Sequence, residues 1–134
     1  MKAESRLAVS ESKIQQRDLA ERTRRFALRV IRLVSALPRT RVADVIGKQL
    51  LRSGTSIGAN YREASRAGTK KHFASILSTT LREADETLYW LQLPRDAKII
   101  RAHLLQDLID ESNQLVAILV KSVKTASARG TSRR

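Results

Sequence analysis

The stretch LLRSGTSIGANYREASRAGTKKHFASILSTTLREADETLYWLQL, Leu50 to Leu93, decides the fold. Its second half carries the clearest period in the chain. Phe73, Ile76, Leu77, Thr80, Leu81, Ala84, Leu88 and Leu91 recur at steps of three and four, while Lys70, Lys71, Arg82 and Asp85 fall off that stripe. Such spacing puts one apolar face on a helix of about five turns. Its first half holds small residues at short spacing, Ser53, Gly54, Ser56, Gly58 and Ala59, within a helical period that also takes in Val42, Val45, Ile46 and Leu50. Glycine inside a helix costs ~1 kcal/mol against alanine, so two of them are best placed where a neighbouring backbone comes close or the helix bends. Thr40 is the expected N-cap of this second helix, which should reach about Arg66; Ala67-Gly68 ends it and Thr69 caps the third helix.

Outward from this stretch the pattern stays helical. The first helix is expected from Ser12 to Leu37, with Phe26, Val30, Leu33, Val34 and Leu37 on one side and Pro38 as its stop. Ala27 and Ile31 widen that side to about half the circumference. Pro94 should break the third helix and Asp96 should cap the fourth, which runs to about Lys124 with Ile100, Leu104, Leu108, Ser112, Leu115, Leu119 and Val123 in one stripe, broadened by Leu105, Ile109 and Val116. The organisation expected is a flexible lead-in at 1–11, a bundle at 12–126 and a basic disordered tail at 127–134. No alternating strand pattern occurs. Four helices with short connections make an all-α, up-down-up-down four-helix bundle. The broad apolar arcs of the first and last helices exceed what one neighbour covers, and they point to a homo-oligomer.

Composition narrows the function. The 134 residues hold 26 Lys and Arg against 13 Asp and Glu, a formal net charge of +13. That field attracts phosphate backbones or anionic surfaces. Aromatics make up only 4%, too few for a series of base-stacking platforms, so contact with the backbone of RNA or DNA is the expected mode. There is no cysteine, which excludes disulfides and thiolate metal sites and fits the cytoplasm. No apolar run approaches the roughly 20 residues of a membrane span, so a soluble protein is expected.

Within the chain, GTSIGAN lacks the Lys-Ser/Thr pair and preceding strand of a nucleotide P-loop, and reads instead as a seat for close helix packing. Ser56, Asn60 and Glu63 share one helical face as a polar strip that fixes register inside the bundle or the oligomer. A carboxylate beside an amide, with His72 and His103 remote in sequence, assembles no nucleophile and base, so no enzyme activity and no cofactor are expected. Glu83 and Glu86 share a face without the Glu-x-x-His partners of a di-metal bundle, and salt bridges to a neighbouring helix account for them better. Tyr89 and Trp90 flank the core stripe as interface anchors. Arg22, Arg25, Arg29 and Arg32 form a row along the first helix, joined by Arg39, Arg41, Lys48, Arg52 and the C-terminal cations Lys121 and Lys124. This row is the candidate nucleic-acid surface.

The segments RTRRFALRVIRLVSALP (22–38), GKQLLRSGTSIGANYREA (47–64), ADETLYWL (84–91) and ESNQLVAILVKSVKTA (111–126) resemble the bacterial four-helix-bundle proteins encoded in intervening sequences of large-subunit ribosomal RNA genes. The resemblance implies a small up-down bundle that assembles into a cyclic homopentamer. Ser56, Asn60 and Glu63 match the polar core of that family's motif; Gly58 stands where many members carry proline, and Ala64 where glycine is frequent. A more distant relative, the accessory variability protein of diversity-generating retroelements, is a basic pentamer that binds nucleic acid and a reverse transcriptase. The expected function is therefore a non-enzymatic oligomeric bundle that holds RNA or DNA backbones on arginine-rich surfaces, as an accessory to a nucleic-acid enzyme such as a reverse transcriptase. The alternatives are a protein-interaction scaffold without a nucleic-acid role, and a basic amphipathic helix on an anionic lipid surface.

Overall fold

A computed structural model describes residues 2–131, with side chains at 14–128. Four helices account for it: α1 (Lys2–Ser35), α2 (Arg41–Ala64), α3 (Lys70–Asp96) and α4 (Ala102–Thr131). No strand occurs among the described residues. The expected capping threonines hold two of the starts: Thr40 Oγ1 accepts from the Ala43 amide at 3.1 Å, and Thr69 Oγ1 accepts from the His72 amide at 3.0 Å. Each satisfies an amide that the first helical turn leaves without a partner.

The ends differ from expectation in three places. α1 begins at Lys2, ten residues before Ser12, because KAESRLAVSE contains no glycine or proline to stop a helix. α4 continues past the expected end near Lys124 to Thr131, into the stretch expected as a tail; residues 132–134 of that tail lie outside those described. α3 passes through Pro94 to Asp96, so Asp96 closes α3 and caps nothing. A proline near a helix end forfeits one hydrogen bond without severing the turns before it. The reversal comes instead at Lys98, whose φ of 57° is left-handed. Lys98 N donates to Arg95 O (3.1 Å) and Ile99 N donates to Pro94 O (3.0 Å), the paired bonds of a Schellman ending. Glycine usually fills that position, and a lysine there gave the sequence no signal.

Contacts along α2 set its direction against α1. Gly47 lies beside Leu37 and Val34, Gly54 beside Val30, and Gly58 beside Thr23, so α1 descends as α2 rises. Arg52 pairs with Glu83 and Glu86, which reverses α3 against α2 in turn. Helices neighbouring in sequence pack extensively, whereas α1 meets α4 sparsely. The four-helix bundle is therefore tight along three seams and open along the fourth. Its core runs through Phe26, Val30, Leu50, Ile57, Leu77, Leu91, Leu105, Ile109, Leu115 and Leu119. The broad arc of α4 is mostly spent inside, apart from Leu104. Exposed apolar side chains persist at Ile14, Leu28 and Ile31 of α1, Val42, Val45 and Leu51 of α2, Tyr89 and Leu93 of α3, and Leu104 of α4. The apolar surface left uncovered is thus shared between α1 and α4, from which self-association is expected, and the two middle helices.

The glycines behave unequally. A Cβ at Gly54 would lie 2.9 Å from both γ-carbons of the fully buried, β-branched Val30, which has no free rotamer to yield. At Gly58 the nearest atoms, in Thr23, stand 3.4 Å away. Gly54→Ala should lower unfolding stability by about 1–2 kcal/mol, overpacking exceeding the gain in helix propensity. Gly58→Ala should be neutral or stabilising by up to ~1 kcal/mol. Urea denaturation of both variants measures this contrast, and equal effects would remove the close-approach account.

Ser112 adds a second stability test. Its hydroxyl is fully enclosed without a hydrogen-bond partner among the described residues. Ser112→Ala should stabilise the fold by about 1 kcal/mol, since it deletes an unsatisfied polar group and favours the helix.

Candidate functional site

The arginine row of α1 faces α4, and α4 answers part of it. Arg22 donates through Nε and Nη2 to the two carboxylate oxygens of Glu111, at 3.0 and 2.6 Å, and through Nη2 to Gln114 Oε1 at 2.8 Å. The hydrogen bond to Glu111 raises the Arg22 pKa above its ordinary value. A fork-shaped guanidinium gripping both oxygens of one carboxylate is a specific clamp, and it spans the sparse α1–α4 seam. Arg22 is thereby committed to the fold. Arg25 pairs with Glu21 one turn back at 3.2 Å in the open, a weak surface pair that leaves its charge accessible.

Arg29 and Arg32 have no acidic partner among the described residues. They line a groove of about 510 Å³ at the end of the seam, with Arg101, Leu104 and Asp107 across from them. Arg101 was not singled out in the sequence; it enters because the α3–α4 turn lies beside the end of α1. Lys121 and Lys124 are exposed on α4, far along the bundle from Arg32. The row therefore divides into a structural arginine, a paired one, and two sets of open cations near opposite ends.

The polar strip lies elsewhere. Helical spacing places Val42, Val45, Gln49, Arg52, Ser56, Asn60 and Glu63 along one edge of α2, and the bridges from Arg52 identify it as the edge beside α3. Ser56 Oγ donates to its own helix at Arg52 O, 2.6 Å away. The half-buried Asn60 and the exposed Glu63 have no side-chain hydrogen bond among the described residues. The strip thus fixes no register within one chain. The expected salt bridges of Glu83 and Glu86 are present, both to Arg52, and Glu86 Oε1 also accepts from Trp90 Nε1 at 3.4 Å. Tyr89 packs edge-on against Trp90 with ring centroids 5.2 Å apart, and remains 55% exposed. Asn60, Glu63, Arg52 and Trp90 share this α2–α3 face with the uncovered Val42 and Val45.

A second groove, of about 560 Å³, opens at the far end of the α1–α4 seam. Leu19, Phe73, Leu77 and Ile118 give it an apolar floor, and Lys70 and Lys121 stand on its border. Tyr61 forms part of its wall and is 4% exposed; burial pushes its phenol up to about 12, further from ionisation than a free tyrosine, which is itself neutral at physiological pH. Sequence periodicity could mark Tyr61 as inward-facing, but not that a groove would end on it.

The family model for the 23S rRNA-intervening sequence protein matches residues 15–121. A protein of unknown function from the S23 ribosomal protein family of Bacteroides thetaiotaomicron, solved by crystallography, superposes with a TM-score of 0.74 at 35% identity, covering 79% of this chain and 98% of that one. A comparison with curated proteins gives no match.

If Arg22 is a clamp, its loss should register as stability. Arg22→Gln should cost about 1–2 kcal/mol, and a double-mutant cycle with Glu111→Gln should return a coupling of about 1 kcal/mol. Arg32→Gln should change stability by less than about 0.5 kcal/mol. Thermal and urea unfolding of the set distinguishes the two roles, and a stability change at Arg32 as large as that at Arg22 would contradict them.

Proposed function

The chain belongs to the 23S rRNA-intervening sequence protein family, and on that premise we propose that it is a non-enzymatic oligomeric bundle that binds RNA or DNA backbones through its open cations. The observation that carries this reading is the balance of charge after folding. Among the described residues, ion pairs involve only Arg22, Arg25, Arg52 and Arg95 of the basic side chains. Of the remaining described cations, Arg32, Arg39, Arg41, Lys98 and Arg101 are exposed and Arg29 half-buried around the end that holds the α1–α2 and α3–α4 turns. An excess left unneutralised on a rigid scaffold suits phosphate contact better than a folding role.

Catalysis has little to work with. The recorded serine and threonine hydroxyl donors bond to main-chain carbonyls of their own helices, and none reaches a histidine. No helix among the described residues is long and apolar enough to cross a membrane. Assembly into a cyclic homopentamer belongs to the same proposal. The α2–α3 face suits it, since Val42, Val45 and Trp90 offer apolar area around an Asn60 amide whose hydrogen-bonding capacity one chain leaves unused. Association with a reverse transcriptase or another nucleic-acid enzyme would follow from such a basic ring.

Two measurements test the proposal. In mobility shifts with RNA and DNA of equal length, affinity should fall steeply with salt, and joint replacement of Arg29, Arg32 and Arg101 by Gln should lower the salt slope by about one per cation removed. Binding no better than that of an acidic bundle of equal size would refute it, and a partner captured equally with and without nuclease would favour the protein-scaffold alternative. In light scattering at micromolar concentration the chain should be oligomeric, and Val45→Glu with Trp90→Ala should reduce its mass; a monomeric parent protein would end the assembly claim.

A further inference from the structure

We infer that the groove ending on Tyr61 holds one nucleotide unit of a single strand, with its base inside and its phosphate on Lys70 and Lys121. Three observations converge there. The Tyr61 hydroxyl has no hydrogen-bond partner among the described residues, although the residue is almost wholly buried. Among the described residues Ser112 Oγ is the fully enclosed polar side-chain atom left without a partner, so the Tyr61 hydroxyl keeps an opening, and the groove is where Tyr61 meets space. A phenol whose ring is buried and whose hydroxyl opens into a groove is hydrated there, and an acceptor on a ligand can take the place of that water.

The composition of the walls selects the ligand. Leu19, Phe73 and Leu77 give the lining its apolar part, and Phe73 supplies a ring on which a base can stack. The α1 wall brings Gln15, Gln16 and Asp18, groups that accept from and donate to the edges of a base. An acyl chain would use the apolar residues and leave these polar groups in water, whereas a base can use both. Lys70 and Lys121 are exposed cations of the lining with no ion pair among the described residues, and they offer the seat for phosphate. The volume of about 560 Å³ falls within the usual range for small-ligand sites and admits one nucleotide with room for its flanking backbone.

This inference rests on the nucleic-acid reading above but concerns a different surface from the Arg29–Arg32–Arg101 groove, so the two can fail separately. Fluorescence anisotropy with a labelled ten-nucleotide single strand, and with a duplex of the same length, provides the test, together with competition by 5′-mononucleotides and by dodecanoate. Tyr61→Phe removes one hydroxyl and keeps the ring. It should weaken single-strand binding about five- to tenfold while duplex binding and thermal stability hold. Lys70→Gln with Lys121→Gln should likewise weaken the single strand more than the duplex. Competition by mononucleotides at millimolar concentration would extend the site to free nucleotides, in keeping with the inference. Equal loss of both nucleic acids in Tyr61→Phe, no loss of either, or displacement of the strand by dodecanoate but not by mononucleotides would overturn it. Failure of the parent protein to bind any nucleic acid would refute the proposed function as well.

Discussion

The close approach of α1 to α2 at Gly54 is the constraint on which the rest of this structure depends. α1 meets α4 sparsely, so its hold on the bundle comes chiefly from α2. That hold requires a residue without a side chain opposite Val30, because the two helices come near enough that a methyl group would collide with both valine γ-carbons. Close packing of a β-branched side chain against bare backbone gains dispersion over the whole contact and admits little adjustment. The position of α1 then fixes the width of the α1–α4 seam, the placing of the Arg22 clamp across it, and the two grooves at its ends.

The seam explains how a strongly basic chain distributes its charge. Glu111 and Gln114 of α4 stand opposite Arg22 and consume it, whereas Glu83 and Glu86 of α3 serve Arg52. Half-buried, geometrically matched pairs such as Arg22–Glu111 are where an ion pair adds stability; exposed ones such as Arg25–Glu21 add little. Glu83, Glu86 and Glu111 are thus engaged across helix seams, and sets of open cations stand near both ends of the bundle, where turns and helix termini keep side chains in water. A surface of that kind acts at long range and is sensitive to salt, which is the behaviour proposed for it.

The α2–α3 face and the Tyr61 groove are two places where a single chain leaves polar groups unanswered. Asn60 is half-buried with its amide unused, and Tyr61 is buried with its hydroxyl unused. Both groups still reach water, and a partner that supplies the same hydrogen bond can displace it. The first sits among exposed apolar side chains and suits a second copy of the chain. The second sits in a groove bordered by lysines and suits an anionic ligand.

Much of this was legible in the residues themselves. The three-four spacing of Phe73 to Leu91, the capping threonines Thr40 and Thr69, and the small residues around Gly54 determined the helices, two of their starts and the need for close packing, because these are effects within one helix or between a side chain and its own backbone. The helix-ending lysine at 98, the passage of α3 through Pro94 and the extension of α1 to Lys2 were not legible, since each depends on the absence of the usual breaking residue or on tolerance near a helix end. Tertiary structure alone decided which cations were spent. Arg22 and Arg29, seven residues apart, nearly coincide on a helical wheel, and only the residue standing opposite on α4 makes the first a clamp and leaves the second open. Tyr61 follows the same logic: periodicity turns it inward, but the gap between helices distant in sequence determines whether its hydroxyl meets protein or a groove.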